Sequence, residues 1–278
     1  MSENKSVNNK IIFGIFYMLA ASAFIGGTAV VAKILGKDYF GEPLSPFQIS
    51  QSRFLYGFVF VLIFTFFNKI KIESPNPKLH LARTSLGWIG ATILFGSSSL
   101  IPVNDAVALN FSNPVFAMII TFSGALILIR PDFSIVHVEP VALISIFGAI
   151  CLGLEAIFIK LLTKYEKNTQ ILLINNFIGL ILSSLIVIFF WKTPTFLQLL
   201  FCMLIGFLMI CAQICFLMAL RSNQLNFVIP FFYSTLIFVL LYDYLIFREF
   251  PDFLSLSGSL LIMIGGVYLF LKETNKEI

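Results

Sequence analysis

"AVVAKILGK" (Ala29–Lys37) lies over "AIFIKLLTK" (Ala156–Lys164) at a constant offset of 127 positions, matching Ala, Lys, Leu and Lys. Working outward from that pair, further agreements follow in the same order. "RFLYG" (Arg53–Gly57) resembles "NFIG" (Asn176–Gly179) after a small gap. Ile89-Gly90 and "NFSNPVF" (Asn110–Phe116) lie over Ile205-Gly206 and "NFVIPFF" (Asn226–Phe232) without a gap, since Gly90 to Pro114 and Gly206 to Pro230 are both 24 positions. Chance matches between apolar segments are common, but a series in one order and spacing marks an internal duplication. The chain reads as two halves, residues 1–137 and 138–278.

The halves are membrane halves. Of 278 residues, 59% are hydrophobic and 12% charged, against about a quarter charged in soluble domains. Apolar stretches of about 17–25 residues read as helices that span a hydrocarbon core about 30 Å thick. Here they fall at Ile11–Leu35, Ser52–Phe67, Ser85–Ile101, Ala106–Ile129, Val141–Leu162, Ile171–Trp191, Leu199–Leu220, Asn226–Phe247 and Phe253–Leu271. The fold class is all-α, a polytopic helical membrane protein of about nine spans. A β-barrel is excluded, because its strands would alternate apolar and polar. The short polar start, Met1–Lys10, precedes an uncleaved first span.

Two homologous halves of odd span number sit in opposite orientations, the inverted-repeat plan of many secondary transporters, with substrate bound between them near the midplane. The first half is short, however. Pro114 to Gly124 is 10 positions, whereas Pro230 to Gly265 is 35, so about 25 residues are absent from the end of one helix, a turn and the start of the next. Charge bears on the orientation. With Met1–Lys10 in the cytoplasm and an even span count, Lys5, Lys10, Lys69, Lys71, Lys78, Arg83, Lys164, Lys167, Arg221, Lys272 and Lys276 face inward, and Lys33, Lys37, Arg130, Lys192 and Arg248 outward. That is 11 against 5, as the positive-inside rule expects. Removing one span flips the second half and gives 9 against 7.

"LIPVNDAVALNFSNPVFAMII" in the first half and "FREFPDFLSLSGSLLIMIGGVYL" in the second, with the duplication, resemble EamA-type carriers of the drug/metabolite transporter superfamily. The resemblance covers nearly the whole chain. It implies ten helices in two inverted five-helix halves around a central cavity, from which this chain departs by the missing stretch. The "FREFPD" turn is similar to that of a subgroup taking up S-adenosylmethionine. The implied function is secondary transport of a small organic metabolite (an amino acid, a nucleoside or an S-adenosylmethionine-like molecule) across the inner membrane by alternating access. A second reading stays open: a remnant that does not transport, or works only beside a partner chain, acting as a helix-packing membrane protein. A homodimer would fill the gap left by the missing stretch. Besides the lipid bilayer, the expected partner is a small-molecule substrate.

Ionisable and amide side chains at membrane depth are the functional candidates. Glu155 reads either as a carboxylate for substrate ammonium or proton coupling, or as the partner of a basic residue such as Lys160. Arg53 either holds a substrate carboxylate bidentately or snorkels as an interfacial anchor. Asn110 and Asn226 are repeat mates, each four residues before a proline; proline frees a carbonyl one turn earlier, and such backbone is tolerated where it lines a cavity. Gln213 and Tyr233 complete the expected substrate set, Tyr233 as a stacking surface. No catalytic constellation is present, and no metal or cofactor site: His80 and His137 lie in loops without companions, and Cys151, Cys202, Cys211 and Cys215 serve packing. The net charge of +4 is spread through loops and indicates no nucleic-acid partner.

Overall fold

The computed structural model describes residues 2–70, 72–73, 75–101, 103, 107, 140–222, 225–248, 253, 256–261 and 264. It is built from α1 (Ser2–Leu35), α2 (Pro46–Phe67), α3 (Pro77–Leu100), α4 (Pro140–Leu162), α5 (Asn168–Val187, extended by a 3-10 turn, Ile188–Phe190), α6 (Phe196–Ser222), α7 (Leu225–Phe232) and α8 (Ser234–Phe247). There is no strand among the described residues, so the all-α polytopic class holds. Among the described residues, six helical stretches are long and apolar enough to cross a bilayer. Their outward faces carry exposed Leu62, Ile63, Phe66, Ile181 and Phe207, the surface a lipid solvent requires. The more polar α3 is 24 residues, about 36 Å at 1.5 Å per residue, and buries Thr84, Thr92, Ser97 and Ser98 among its neighbours.

Two helices begin earlier than hydropathy places them. Ser45 Oγ accepts the Gln48 N–H at 3.2 Å ahead of Pro46, and Asn76 Oδ1 accepts the Leu79 N–H at 3.3 Å ahead of Pro77. Each is a polar N-cap followed by proline at the first helical position, where the missing N–H is not needed. Starting α2 at Pro46 rather than Ser52, and α3 at Pro77 rather than Ser85, places Arg53 and Arg83 well inside helices. The span holding Pro230 is broken. Between α7 and α8 the Tyr233 N–H reaches the Pro230 carbonyl at 3.3 Å, and hydroxyls take up neighbouring carbonyls: Ser234 Oγ at Phe231 (2.7 Å), Thr235 Oγ1 at Phe232 (2.7 Å), and Ser22 Oγ of α1 at Phe232 (3.3 Å). A kink of this kind survives in lipid because the freed groups are satisfied again.

The packing repeats the duplication. α1 lies along α6, and its repeat mate α4 lies along α3, the mate of α6. α2 and α5, mates of each other, pack together; α2 also touches α6 as α5 touches α3. Exchanging the halves therefore turns each of these contacts into another. α2 and α5 run antiparallel, for Gly57 lies against Asn176 while Gly179 lies against Phe54. Antiparallel mates are what inversion demands. Among the described residues, three buried clusters hold the bundle: one around Ala29, Leu94 and Val239; one around Met18, Ile171 and Leu217; one around Leu35, Ile49 and Ile205.

The described helices also fix the orientation of the second half. Gly36, after α1, backs onto Ser99 near the end of α3, and Ser97 Oγ is 2.7 Å from Ser145 Oγ near the start of α4. The end of α1, the end of α3 and the start of α4 thus share one face. The second half keeps the orientation of the even-span plan. Lys37, Lys192 and Arg248 then fall on that face, and Lys69, Lys78, Lys164, Lys167 and Arg221 on the other, as the even-span charge count places these eight residues. The segment Asn113–Phe133, at which the first half is shortened, lies outside the described residues.

Candidate functional site

Three charges meet in the middle of the bundle. Arg53 is seven residues into α2 and Arg83 six into α3, about 10 and 9 Å from the opposite faces at which those helices start. Glu155 is seven residues from the end of α4. Arg83 Nε lies 3.6 Å from Glu155 Oε1, and Arg53 is within electrostatic reach of both. The arginines are 4% and 1% exposed. Arg83 Nη1 donates to the Ile171 carbonyl at 3.4 Å, and Arg53 lies with its guanidinium carbon 4.5 Å over the Phe54 ring. Neither Arg53 Nε nor Arg83 Nε has a hydrogen-bond partner. Burying ions costs several kcal/mol each unless they are paired; here two cations share one carboxylate.

Gly87 makes that arrangement fit. A Cβ at this position would come within 2.5 Å of the Glu155 carboxyl carbon and both its oxygens. Glu155 pairs with Arg83 of the neighbouring helix rather than with Lys160, which donates to the Leu220 carbonyl. An amide layer flanks the charges. Thr84 Oγ1 is 3.1 Å from Asn175 Oδ1, and Asn176 Nδ2 donates to the Leu172 carbonyl at 2.8 Å and to Gln213 Oε1 at 3.5 Å. Of the expected set, Arg53 and Glu155 come together, with Gln213 in the adjoining amide layer. Tyr233 packs instead with Ala29, Val30, Leu236 and Val239, 3% exposed. Asn110 lies outside the described residues, as does the side chain of Asn226. Arg83 was missed because low hydropathy assigned it to a loop; the Asn76-Pro77 cap was the signal that moves it into a helix. Among the described residues no group of His, Cys, Asp and Glu could hold a metal.

A second buried pair ties the halves together near the face carrying Lys37. Lys33 Nζ of α1 is 2.9 Å from Asp243 Oδ1 of α8 and 4.0 Å from the Phe247 ring centroid. Each face also has a glutamine clasp. Gln48 Nε2 donates to the Lys192 carbonyl at 2.6 Å and its Oε1 accepts the Lys192 N–H at 3.1 Å. Gln170 does the same to Glu73, at 2.9 and 2.8 Å. Gln48 stands nine residues before Gly57 and Gln170 nine before Gly179, so the clasps are repeat mates on opposite faces. Each grips both polar groups of one loop residue of the other half.

The Gln170 clasp carries further polar groups. Glu166 accepts from the Asn76 N–H (3.0 Å), His80 Nε2 (2.8 Å) and Gln170 Nε2 (2.6 Å). Burial alone would raise the Glu166 carboxyl, but those hydrogen bonds hold it below its ordinary value. Burial pushes the His80 imidazole below 6.5, with Glu166 opposing. A depressed histidine contributes stability that is present above 6.5 and lost as pH falls through the folded value; the depressed glutamate contribution is lost at lower pH still. Thermal unfolding in detergent should therefore show a lower midpoint at pH 5.5 than at pH 7.5. His80→Gln, which keeps a donor but does not titrate, should lack that drop. An equal drop in both chains would reject this origin.

Comparisons with known proteins bear on the family and the fold. The EamA-like transporter family matches twice, over residues 12–128 and 140–271. The chain is similar to the S-adenosylmethionine uptake transporter of Rickettsia bellii, 24% identical over 84% of this chain and 87% of that one. It is also similar to that of Rickettsia conorii, 23% identical over 94% and 93%. A solved crystal structure shares the fold with a TM-score of 0.66 at 14% identity, over 95% of this chain and 97% of its own. With its family and its apolar helices, the protein is a multi-pass protein of the inner membrane. The double match covers most of the chain, and the protein belongs to the EamA-like transporter family.

Proposed function

We propose that the protein is a secondary carrier that moves a small organic metabolite across the inner membrane by alternating access, with S-adenosylmethionine the first substrate to test. Residues 1–137 and 138–278 act as its two inverted repeats, and the substrate sits between them against Arg53, Glu155 and Gln213. The carrying observation is the Arg53–Arg83–Glu155 cluster, charged groups deep in a membrane protein at the meeting of the two halves. Such groups are expensive there and mark substrate or ion pathways. The family and the S-adenosylmethionine uptake relatives support the same reading. The test is uptake of labelled S-adenosylmethionine, nucleosides and amino acids into proteoliposomes, under a proton gradient and in exchange. Saturable uptake of one of them, lost in Arg53→Gln, is the expected result. No flux of any of them in either mode would reject the carrier.

A further inference from the structure

We infer that Arg53 is the subsite for a free carboxylate on the transported molecule, and that Arg83 and Gly87 act by holding Glu155 away from it. The inference rests on the carrier reading above and narrows its substrate to carboxylates. The first observation is charge. Two guanidiniums and one carboxylate meet at 4%, 1% and 12% side-chain or residue exposure, leaving one unit of positive charge unbalanced among them. The second is the unequal state of the two arginines. Arg83 has the Glu155 carboxylate 3.6 Å from its Nε and the Ile171 carbonyl on Nη1. Neither Nε has a hydrogen-bond partner, but Arg53 has no carboxylate at ion-pair distance among the described residues and has an aromatic ring beneath its guanidinium. A guanidinium is always charged and offers donors in a planar fork that matches a carboxylate. Seated on a ring and short of an anion, Arg53 is prepared for one.

Glu155 is the internal rival for that fork. Its carboxylate rests on Gly87, where the absence of a side chain lets it lie against α3 and Arg83. Removing Arg83 would free Glu155 to pair with Arg53 and fill the subsite from within. Arg83 is therefore a positioning residue, which predicts a pattern that a purely structural role does not give.

The experiment measures ligand-induced thermal stabilisation of the purified full chain in detergent. The probes are sodium acetate against sodium chloride at equal ionic strength, and L-methionine against L-methioninamide. The wild type should be stabilised by the carboxylates and not by chloride or the amide. Arg53→Gln should weaken the carboxylate response at least tenfold, since hydrogen bonds to charged groups contribute about 1.5–3 kcal/mol, and Arg53→Lys should restore part of it. Arg83→Gln should weaken it similarly, while the double variant Arg83→Gln/Glu155→Gln should recover it. Gly87→Ala, which displaces Glu155, should behave as Arg83→Gln does.

Stabilisation by neither carboxylate, equal stabilisation by acid and amide, or an unchanged Arg53→Gln response would overturn the inference. So would a double variant no better than Arg83→Gln alone. These readouts require no transport: a chain that binds carboxylates but moves no metabolite fails as a carrier and not as a carboxylate site. A carrier indifferent to the carboxylate fails in the opposite way.

Discussion

Replacing Asp243 by Asn should lower stability by about 3–5 kcal/mol, the usual loss when one partner of a buried ion pair is removed. Lys33 is 1% exposed on α1, its ammonium 2.9 Å from Asp243, and the neutral amide cannot balance it. The Phe247 ring, 4.0 Å away, would still face the cation, but a ring quadrupole contributes roughly 2 kcal/mol even when desolvated. Lys33→Met alone should cost a similar amount, because it removes the ammonium 2.9 Å from that carboxylate. The double variant Lys33→Met/Asp243→Leu should recover most of the loss, since apolar replacements of a buried pair are often neutral or stabilising. Thermal unfolding of the four chains in detergent checks this. Single variants that unfold like the wild type would show that the pair does not hold α1 to α8.

Gly179→Val is expected to be comparably severe, for a steric reason. The nearest atoms to a Cβ at Gly179 are three of the Phe54 ring, and they lie closer than real Cβ atoms approach their neighbours. Phe54 is 1% exposed and has no surface to swing into. Overpacking a dense core costs about 1–3 kcal/mol and occasionally more, and here it pushes apart α2 and α5, the helices at the meeting of the halves. Phe54→Ala in the same chain should return much of the loss by vacating the ring's volume. If Gly179→Val and the wild type share an unfolding temperature, the helices are not packed as tightly as described.

How much of this was legible in the sequence depends on the distance over which each feature is encoded. The Ala29–Lys37 and Ala156–Lys164 match revealed two halves, because duplication leaves a linear trace. Glu155 and Arg53 stood out because a charge in an apolar run is visible one residue at a time. Arg83 did not, since averaged hydropathy hides a charge near a polar stretch; only the Asn76-Pro77 cap marks the helix that carries it inward. Lys33 and Asp243 are 210 positions apart, and no local pattern joins them. Gln48 and Gln170 look like ordinary surface polar residues until both are seen gripping a peptide group. The amides Asn110 and Asn226 remain an expectation drawn from the repeat.

The glutamine clasps carry one more consequence. A carrier without a fuel must pass between inward-open and outward-open forms on thermal energy, which requires the two forms to be close in free energy. In a chain cycling as proposed, clasps of the same chemistry on opposite faces would give that balance, each closing its face with the same two hydrogen bonds of about 0.5–1.5 kcal/mol net apiece. The duplication thus supplies a matched pair of locks. The two locks match in their glutamine hydrogen bonds and differ in what supports them, Glu166 and His80 at Gln170 and the Lys192–Glu42 pair at Gln48.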